Sequence, residues 1–149
     1  MIPFKSSPQS TLGVEWELAL VNRSDGALVS RAEEVLEVIQ AENPELLKPG
    51  NGPHITGEFL DNTVELVTDV CTTVEEAVQQ LEDAVRRLQA LTDSLEIDFF
   101  SAGTHPFSRS ADQPIAAKER YQKMLDRTQY WGRQMMIYGV HVHLSLIHI

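Results

Sequence analysis

The sequence predicts an α+β fold in which helices cover one face of a β-sheet. Apolar and polar residues alternate from Val14 to Leu20, as in a strand with one face toward the core. From Val74 to Leu91 the apolar residues recur at helical spacing, and charged residues occupy the opposite side. With 149 residues and 42% hydrophobic content, the chain is long enough for one compact core and too short for two comfortable domains.

Charge and composition narrow the classes of function. The formal net charge of −10 argues against nucleic-acid partners, because phosphate recognition requires clustered Lys and Arg, and these are spread along the chain. Cys71 is the single cysteine, so no internal disulfide can form. The first residues contain no apolar run long enough for a signal peptide or a membrane span. We therefore expect a cytoplasmic protein without a membrane partner.

The first half of the chain predicts a strand, a turn and a helix in that order. The turn at Arg23–Gly26 ends the first strand, because an Asp-Gly pair accommodates the positive φ of hairpin turns. We expect a short return strand at Ala27–Ser30 and, from its broad apolar stripe, a helix at Ala32–Gln40. The Gly- and Pro-containing stretch Lys48–Gly57 is expected to be a loop beside a ligand site.

The second half begins with a predicted strand that carries Glu58–Glu65. Two threonines followed by two glutamates, at 72–76, form a capping-box pattern, so the longest helix should begin near Thr73. A strand at Ile97–Phe100 and a helix from Ala116 to about Thr128 are expected next. The final strand contains the sequence VHVHL around His141.

Pairs of acidic and histidine residues on the strand-like segments point to a metal site. Glu15 and Glu17 are two residues apart, so they project from one face of a strand, where their mutual repulsion favours a bound cation. His141 and His143 repeat that spacing. Carboxylate oxygens favour Mg²⁺ or Mn²⁺, and the adjacent imidazoles shift the preference slightly toward Mn²⁺.

Glu58 and Glu65 can join this set only under a geometric condition. Strict alternation places them on opposite faces, so they converge only if the strand bends or bulges between Leu60 and Asn62. Structural interpretations stay open: Glu65 could face water on an edge strand, and the His-x-His pair could be an exposed strand face. His105, between Gly and Pro residues, is typical of a residue that fixes its loop by a hydrogen bond.

Five motifs follow one another along the chain: TLGVEWELALV, EFLDNTVELVTDVCTTVEEA, AGTHPF, ERYQKM and YGVHVH. Together and in this order they resemble the carboxylate-amine ligases similar to glutamate-cysteine ligase type 2. The resemblance runs from about Leu12 to His143, and it departs at Trp16, where many relatives carry a third acidic residue. It implies a partial glutamine synthetase-like catalytic domain, with a mainly antiparallel, curved sheet and helices packed on one face. Residues 1–143 would be the truncated amino-terminal part of that single domain.

The resemblance also implies residue roles. The implied metal ligands are Glu15, Glu17, Glu58, Glu65 and His141. His143 would approach the phosphates of ATP or a metal ion. Arg120 and His105 would contact substrates, although Arg120 could equally pair at the surface of its helix.

The reaction implied by the resemblance is an ATP-dependent ligation, of the type used in glutathione-type thiol biosynthesis. The side-chain carboxylate of glutamate attacks the γ-phosphorus of ATP, and an amine, usually that of cysteine, captures the resulting γ-glutamyl phosphate with the help of Mg²⁺ or Mn²⁺. No covalent enzyme nucleophile is required. This agrees with a sequence that contains neither a P-loop nor a dinucleotide glycine fingerprint.

Two other functions stay open from the sequence: a metal-dependent hydrolase, and a non-catalytic acidic α+β interaction module. Residues 144–149, LSLIHI, match one reading frame of a transposon-based sequencing adapter and are expected to be a non-native tail. Leu144–Leu146 also have a parallel in distant relatives. The fragment alone is expected to be inactive and to dissolve poorly or form homo-oligomers.

Overall fold

A computed structural model describes residues 10–145, in which one antiparallel sheet and three helices form. The strands are β1 (Leu12–Asn22), β2 (His54–Gly57), β3 (Thr63–Val67), β4 (Ile97–Phe100) and β5 (Val140–Leu144). The helices are α1 (Ala32–Glu42), α2 (Val74–Thr92) and α3 (Glu119–Thr128). The predicted α+β class and the antiparallel sheet are therefore confirmed.

The long strand β1 organises the sheet because three other strands pair with it. On one edge, β3 pairs with Glu15–Ala19, and β2 continues the sheet beyond β3. On the other edge, β5 pairs with Leu12–Trp16 and β4 pairs with Ala19–Asn22. All four pairings are antiparallel. As a result β1 lies between the strand that carries Glu65 and the strand that carries the two histidines.

Helices α1 and α2 pack on one face of the sheet, as predicted. The buried core between them and the strands contains Leu18, Leu20, Val35, Ile39, Ile55, Val64, Leu66, Ala84, Leu88 and Ile97. Burial of each large aliphatic side chain contributes roughly 1.5–3 kcal/mol relative to exposure. Helix α3 lies elsewhere, because its Tyr121 and Met124 border a cavity that Glu17 lines from the opposite face of the sheet.

The start of α2 has the predicted cap. The Oγ1 atom of Thr73 accepts a hydrogen bond from the backbone N–H of Glu76 at 3.1 Å, and the carboxylate of Glu76 accepts one from the N–H of Thr72 at 2.8 Å. These contacts satisfy backbone donors that a helix leaves unpaired at its first turn. The apolar residues Val74 and Val78 of the predicted stripe are nevertheless exposed.

Three predicted elements differ from the structure. The return strand at Ala27–Ser30 is reduced to one bridge between Val21 and Leu28. The predicted loop Lys48–Gly57 ends in strand β2, because its last four residues pair with β3, and local propensity does not encode that partner. Helix α3 begins at Glu119 rather than Ala116, whose backbone N–H instead donates to the carbonyl of Phe59 at 2.9 Å.

The predicted non-native tail is described only at its start. Leu144 closes β5, and the backbone N–H of Ser145 donates to the carbonyl of Thr11 at 2.9 Å. Residues 146–149 lie outside the described residues, so the tail stays a prediction. Between residues 10 and 145, no helix combines the length and apolar character required to cross a membrane.

Candidate metal centre

Alternation along β1 places Glu15 and Glu17 on the sheet face opposite α1 and α2. Leu18 belongs to the helix-side core, so its odd-numbered neighbours point the other way. Glu17 lies directly across from Glu65 on β3, and Glu15 lies directly across from His141 on β5. The pairing of β1 with both neighbours thus collects acidic and imidazole groups from distant parts of the sequence on one surface.

Glu58 reaches the same surface through a turn. Strand β2 ends at Gly57, the chain reverses through Phe59–Asn62, and β3 returns antiparallel to β2. The prediction of a bend within one strand is therefore wrong, because the chain forms two separate strands joined by a turn. The turn nevertheless brings Glu58 and Glu65 together in one cluster, as the bend was predicted to do.

Two overlapping groups of side chains have the spacing of metal ligands. Glu15, Glu65 and His141 form one group, and Glu17, Glu58 and Glu65 form the other; within each group, one ligand atom per residue lies within 4.8 Å of the others. An octahedral Mg²⁺ with bonds of about 2.1 Å holds opposite ligands about 4.2 Å apart, so small inward movements would complete either site. Glu65 belongs to both groups, so the arrangement fits two divalent ions that share one carboxylate.

The electrostatics of Glu65 reflect this crowding. Burial, together with the nearby carboxylates of Glu15, Glu58 and Glu17, raises the pKa of its carboxyl group to about 7, against the opposing influence of His141. Simultaneous ionisation of all the carboxyl groups in this cluster is therefore unfavourable. A divalent cation would relieve the same repulsion without protonation.

The two histidines of β5 contact the same acidic residue. The Nδ1 atom of His141 is 3.4 Å from Oε2 of Glu15, and Nε2 of His143 is 3.1 Å from that oxygen. His141 belongs to a ligand group, whereas His143 belongs to neither group found among the described residues. Both imidazoles are exposed, so His143 is accessible to a ligand that lies over the acidic face.

Gly139 is a site residue that the sequence reasoning did not single out. Its backbone N–H donates to Oε2 of Glu17 at 2.7 Å, and its carbonyl accepts from the N–H of Glu17 at 2.9 Å. A Cβ atom at Gly139 would lie 3.3 Å from Nε2 of His141 and 3.6 Å from the Glu17 carboxylate. Glycine therefore permits close approach here, and its place two residues before His141 was the available signal.

Tyr121 was also missed. Its hydroxyl donates to Oε2 of Glu58 at 3.0 Å and accepts from Nη2 of Arg120 at 2.5 Å. The spacing of Tyr121 and Leu125, both buried on α3, is the one sequence signal that could have placed the phenol inward. Arg120, predicted to contact substrate, thus reaches the acidic cluster through a tyrosine.

His105 is buried in its loop and belongs to neither ligand group. Its Nε2 atom lies 3.0 Å from the carbonyl oxygen of Gly26. Phe100 and Phe107 contact its ring edge-to-face, with centroids 5.4 and 4.4 Å away. These contacts are those of a loop-fixing residue, and a substrate contact at His105 stays a prediction.

A cavity of about 310 Å³ opens beside the second ligand group. Glu17, Glu58 and His141 line its polar side. The rest of its wall is formed by Phe59, Leu60, Thr63, Tyr121, Met124, Met135 and Ile137. The cavity is a mostly apolar space with a few convergent polar groups, as small-molecule sites usually are.

Relatives of known sequence match nearly the whole chain. It is 54% identical over 97% of its length to "Putative glutamate--cysteine ligase 2-1" of Arthrobacter sp. (strain FB24). It is 52% identical over 99% of its length to "Putative glutamate--cysteine ligase 2-2" of Paenarthrobacter aurescens (strain TC1). The chain spans 38% of the length of each of these relatives.

A solved structure shares the fold. The glutamate-cysteine ligase of Francisella tularensis, crystallised in complex with AMP, superposes with a TM-score of 0.60 at 18% identity, over 95% of this chain and 28% of that one. The family model of Glutamate-cysteine ligase family 2 matches residues 11–148. Since this match covers almost all of the chain, and the motifs that suggested the resemblance lie within it, the chain belongs to Glutamate-cysteine ligase family 2.

Proposed function

We propose that the chain is the amino-terminal part of the catalytic domain of an ATP-dependent carboxylate-amine ligase that joins glutamate to an amine, with cysteine as the first candidate. One observation carries the proposal: the acidic residues and His141 converge on one sheet face in two groups that share Glu65. Family membership and the names of the relatives support a ligase. The AMP in the structurally similar ligase supports ATP as the nucleotide.

The ligand groups fit Mg²⁺ or Mn²⁺ because hard carboxylate oxygens predominate. Glu15, Glu65 and His141 would hold one ion, and Glu17, Glu58 and Glu65 would hold the other. Bound there, such ions would neutralise charge between the ATP phosphates and the substrate carboxylate. Without them, a chain with a net charge of −10 would repel both anionic substrates.

In the proposed reaction, a carboxylate oxygen of glutamate attacks the γ-phosphorus and ADP leaves. The amine then attacks the acyl carbon of γ-glutamyl phosphate, phosphate leaves, and γ-glutamylcysteine forms when the amine belongs to cysteine. The chain's residues would hold the metal ions and orient the reactants, and none forms a covalent bond to them. The cavity beside Glu58 is large enough for an amino acid.

Three residues have proposed roles around this centre. His143 would approach the ATP phosphates, since its exposed imidazole lies on the acidic face beside Glu15. Arg120 would support a substrate contact from α3, and His105 would do so from its loop. The fragment alone should be inactive, because it spans 38% of the length of the relatives.

The test is ADP formation by the complete protein that contains this chain, assayed with and without each substrate. A ligase releases ADP only when glutamate, an amine and Mg²⁺ are all present. Glu15→Gln and Glu65→Gln should abolish turnover with unchanged circular dichroism, whereas Glu37→Gln, on the exposed side of α1, should retain it.

Other outcomes identify the competing functions. Release of product without ATP would indicate a metal-dependent hydrolase. No turnover, together with a melting temperature that millimolar Mg²⁺ does not change, would favour a non-catalytic interaction module. Wild-type turnover by both Gln variants would refute the metal assignment.

A further inference from the structure

Glu58 differs from the other proposed ligands in how its backbone is held. Glu15, Glu17, Glu65 and His141 lie within paired strands, so ladder hydrogen bonds fix the direction of each side chain. Glu58 follows the end of β2, and its backbone N–H reaches the carbonyl of Thr63 at 3.4 Å, a long contact. The orientation of its carboxylate therefore depends on a side-chain partner.

Tyr121 supplies that partner from α3. Its hydroxyl donates to Oε2 of Glu58 at 3.0 Å, and the tyrosine is only 7% exposed, so little water competes for the bond. A hydrogen bond to an ionised carboxylate is stronger than one between neutral groups. The other carboxylate oxygen and the remaining lone pairs of Oε2 stay available for a metal ion.

The ring of Tyr121 is itself fixed by its neighbours. Phe59 packs edge-to-face against it, with centroids 5.4 Å apart and an interplanar angle of 80°. The guanidinium carbon of Arg120 lies 4.6 Å from the ring centroid, and Nη2 of Arg120 donates to the phenol oxygen. Lys118 lies 5.4 Å from the same centroid, and its Nζ donates to the carbonyl of Gly57, the residue before Glu58.

We propose that Tyr121 is a positioning residue for the second metal ion: it holds Glu58 in the orientation that completes the group with Glu17 and Glu65, and Arg120 acts through Tyr121. This inference rests on the metal centre of the proposed function. In this proposal, a residue of α3 determines how tightly one of the two ions binds. Among the hydrogen bonds of the described residues, those of the Tyr121 hydroxyl reach Glu58 and Arg120 and none joins it to Glu15, Glu65 or His141, so the first ion should depend on Tyr121 much less.

Isothermal titration calorimetry of the complete protein that contains this chain, with Mn²⁺ as the titrant, tests the proposal. In Tyr121→Phe, which keeps the ring and removes the donor, the dissociation constant of one ion should increase by about 10–100-fold, the usual effect of removing a ligand's hydrogen-bond partner. The dissociation constant of the other ion should change much less, because the two groups share only Glu65. Tyr130→Phe is the matched control, since Tyr130 is an exposed tyrosine just after α3.

Two further variants separate positioning from a general structural role. Glu58→Gln should weaken the binding of the same ion. Adding Tyr121→Phe to Glu58→Gln should weaken it little further, because both changes disrupt the same hydrogen-bonded pair. Arg120→Met should weaken the binding of that ion less than Tyr121→Phe does, and its effect should be smaller in the Tyr121→Phe background.

The outcomes distinguish this inference from the proposed function. A wild-type isotherm for Tyr121→Phe would overturn the inference and leave the metal centre standing. Equal weakening of both ions would also overturn it, since that is the effect of a general structural role. A wild-type complete protein that binds no Mn²⁺ would overturn both the inference and the metal centre.

Discussion

Glu65 is surrounded by three other carboxylates of the same face, and burial together with these neighbours raises its pKa to about 7. The folded chain therefore holds a proton on Glu65 that the unfolded chain, with a pKa near 4.5, releases at lower pH. A group with this sign contributes stability below the unfolded pKa and loses it as the pH rises through the folded pKa. Metal binding competes with the same proton.

The first prediction concerns the pH dependence of stability. Between about pH 4.5 and pH 7, the free energy of unfolding of the metal-free chain should fall relative to that of Glu65→Gln, which has no proton to lose. Urea denaturation of both proteins across this range measures the difference. Parallel pH profiles for the two proteins would show that Glu65 is not crowded as described.

Gly139 provides a second prediction at the scale of a residue. Gly139→Ala introduces a Cβ atom 3.3 Å from Nε2 of His141, whose exposed ring can turn away at small cost. We expect a change in unfolding free energy below about 1 kcal/mol but weaker Mn²⁺ binding by the group of His141. Gly103→Ala is the control, because its Cβ would meet no atom within 4 Å. Equal Mn²⁺ affinity in the two variants would contradict this role.

The residues that share one face of the sheet were predictable where this depended on the alternation of side chains along a strand. The shared face of Glu15 and Glu17 follows from the period of a strand, and so does that of His141 and His143. Local signals existed for Gly139, next to the His141 motif, and for Tyr121, at helical spacing from Leu125. Neither signal shows the contacts with Glu17 and Glu58 that make these two residues important.

At the scale of elements, the turn between β2 and β3 determines whether Glu58 reaches the site. The sequence predicted one strand there, since nothing local showed that the chain reverses and that His54–Gly57 pair with β3. The side chain of the fully buried Asn62 fixes this turn. Its Oδ1 accepts from the hydroxyls of Thr63 and Tyr138 at 3.0 and 3.2 Å, and its Nδ2 donates to Gln113 at 2.9 Å.

The third prediction follows from that network. Asn62→Ala leaves buried hydroxyl donors without their acceptor, so the free energy of unfolding should drop by about 1–3 kcal/mol. Mn²⁺ binding by the group of Glu58 should weaken as well, because the turn positions that residue. Urea denaturation and calorimetry measure the two effects, with the exposed Asn51→Ala as the control. Unchanged stability in Asn62→Ala would refute the role of the network.

Unlike the turn between β2 and β3, helix α2 could be predicted from local patterns in the sequence. Its capping box at Thr73 and its helical period were predictable because both are local patterns. Which apolar residues would be buried was only partly predictable: Leu88 and Leu91 of the predicted stripe enter the core, while Val74 and Val78 remain exposed.

At the scale of the whole molecule, one sheet face remains apolar beside β5. Val140, Val142 and Leu144 are 57–60% exposed, opposite Trp16, Val14 and Leu12 on β1. Among residues 10–145, β5 pairs only with β1, so its other edge has free backbone groups. Apolar surface next to an unpaired strand edge favours association between chains.

The fourth prediction is therefore that the 149-residue chain self-associates with increasing concentration. Sedimentation velocity should show dimers or larger species, and Val142→Lys should shift the distribution toward monomer. Val70→Lys, which changes an exposed valine outside β5, is the control and should behave like the wild type. A wild-type chain that stays monomeric at all concentrations would contradict this account of the apolar face.

A pair of metal ions that share Glu65 is the centre of the proposed site, and electron paramagnetic resonance of the chain titrated with Mn²⁺ tests for it directly. We predict that two Mn²⁺ ions bind per chain with a magnetically coupled spectrum, because one carboxylate bridges them. Glu65→Gln should lose the coupled spectrum, and Glu37→Gln should retain it. Uncoupled binding, or identical spectra from the wild type and Glu65→Gln, would contradict the shared metal centre.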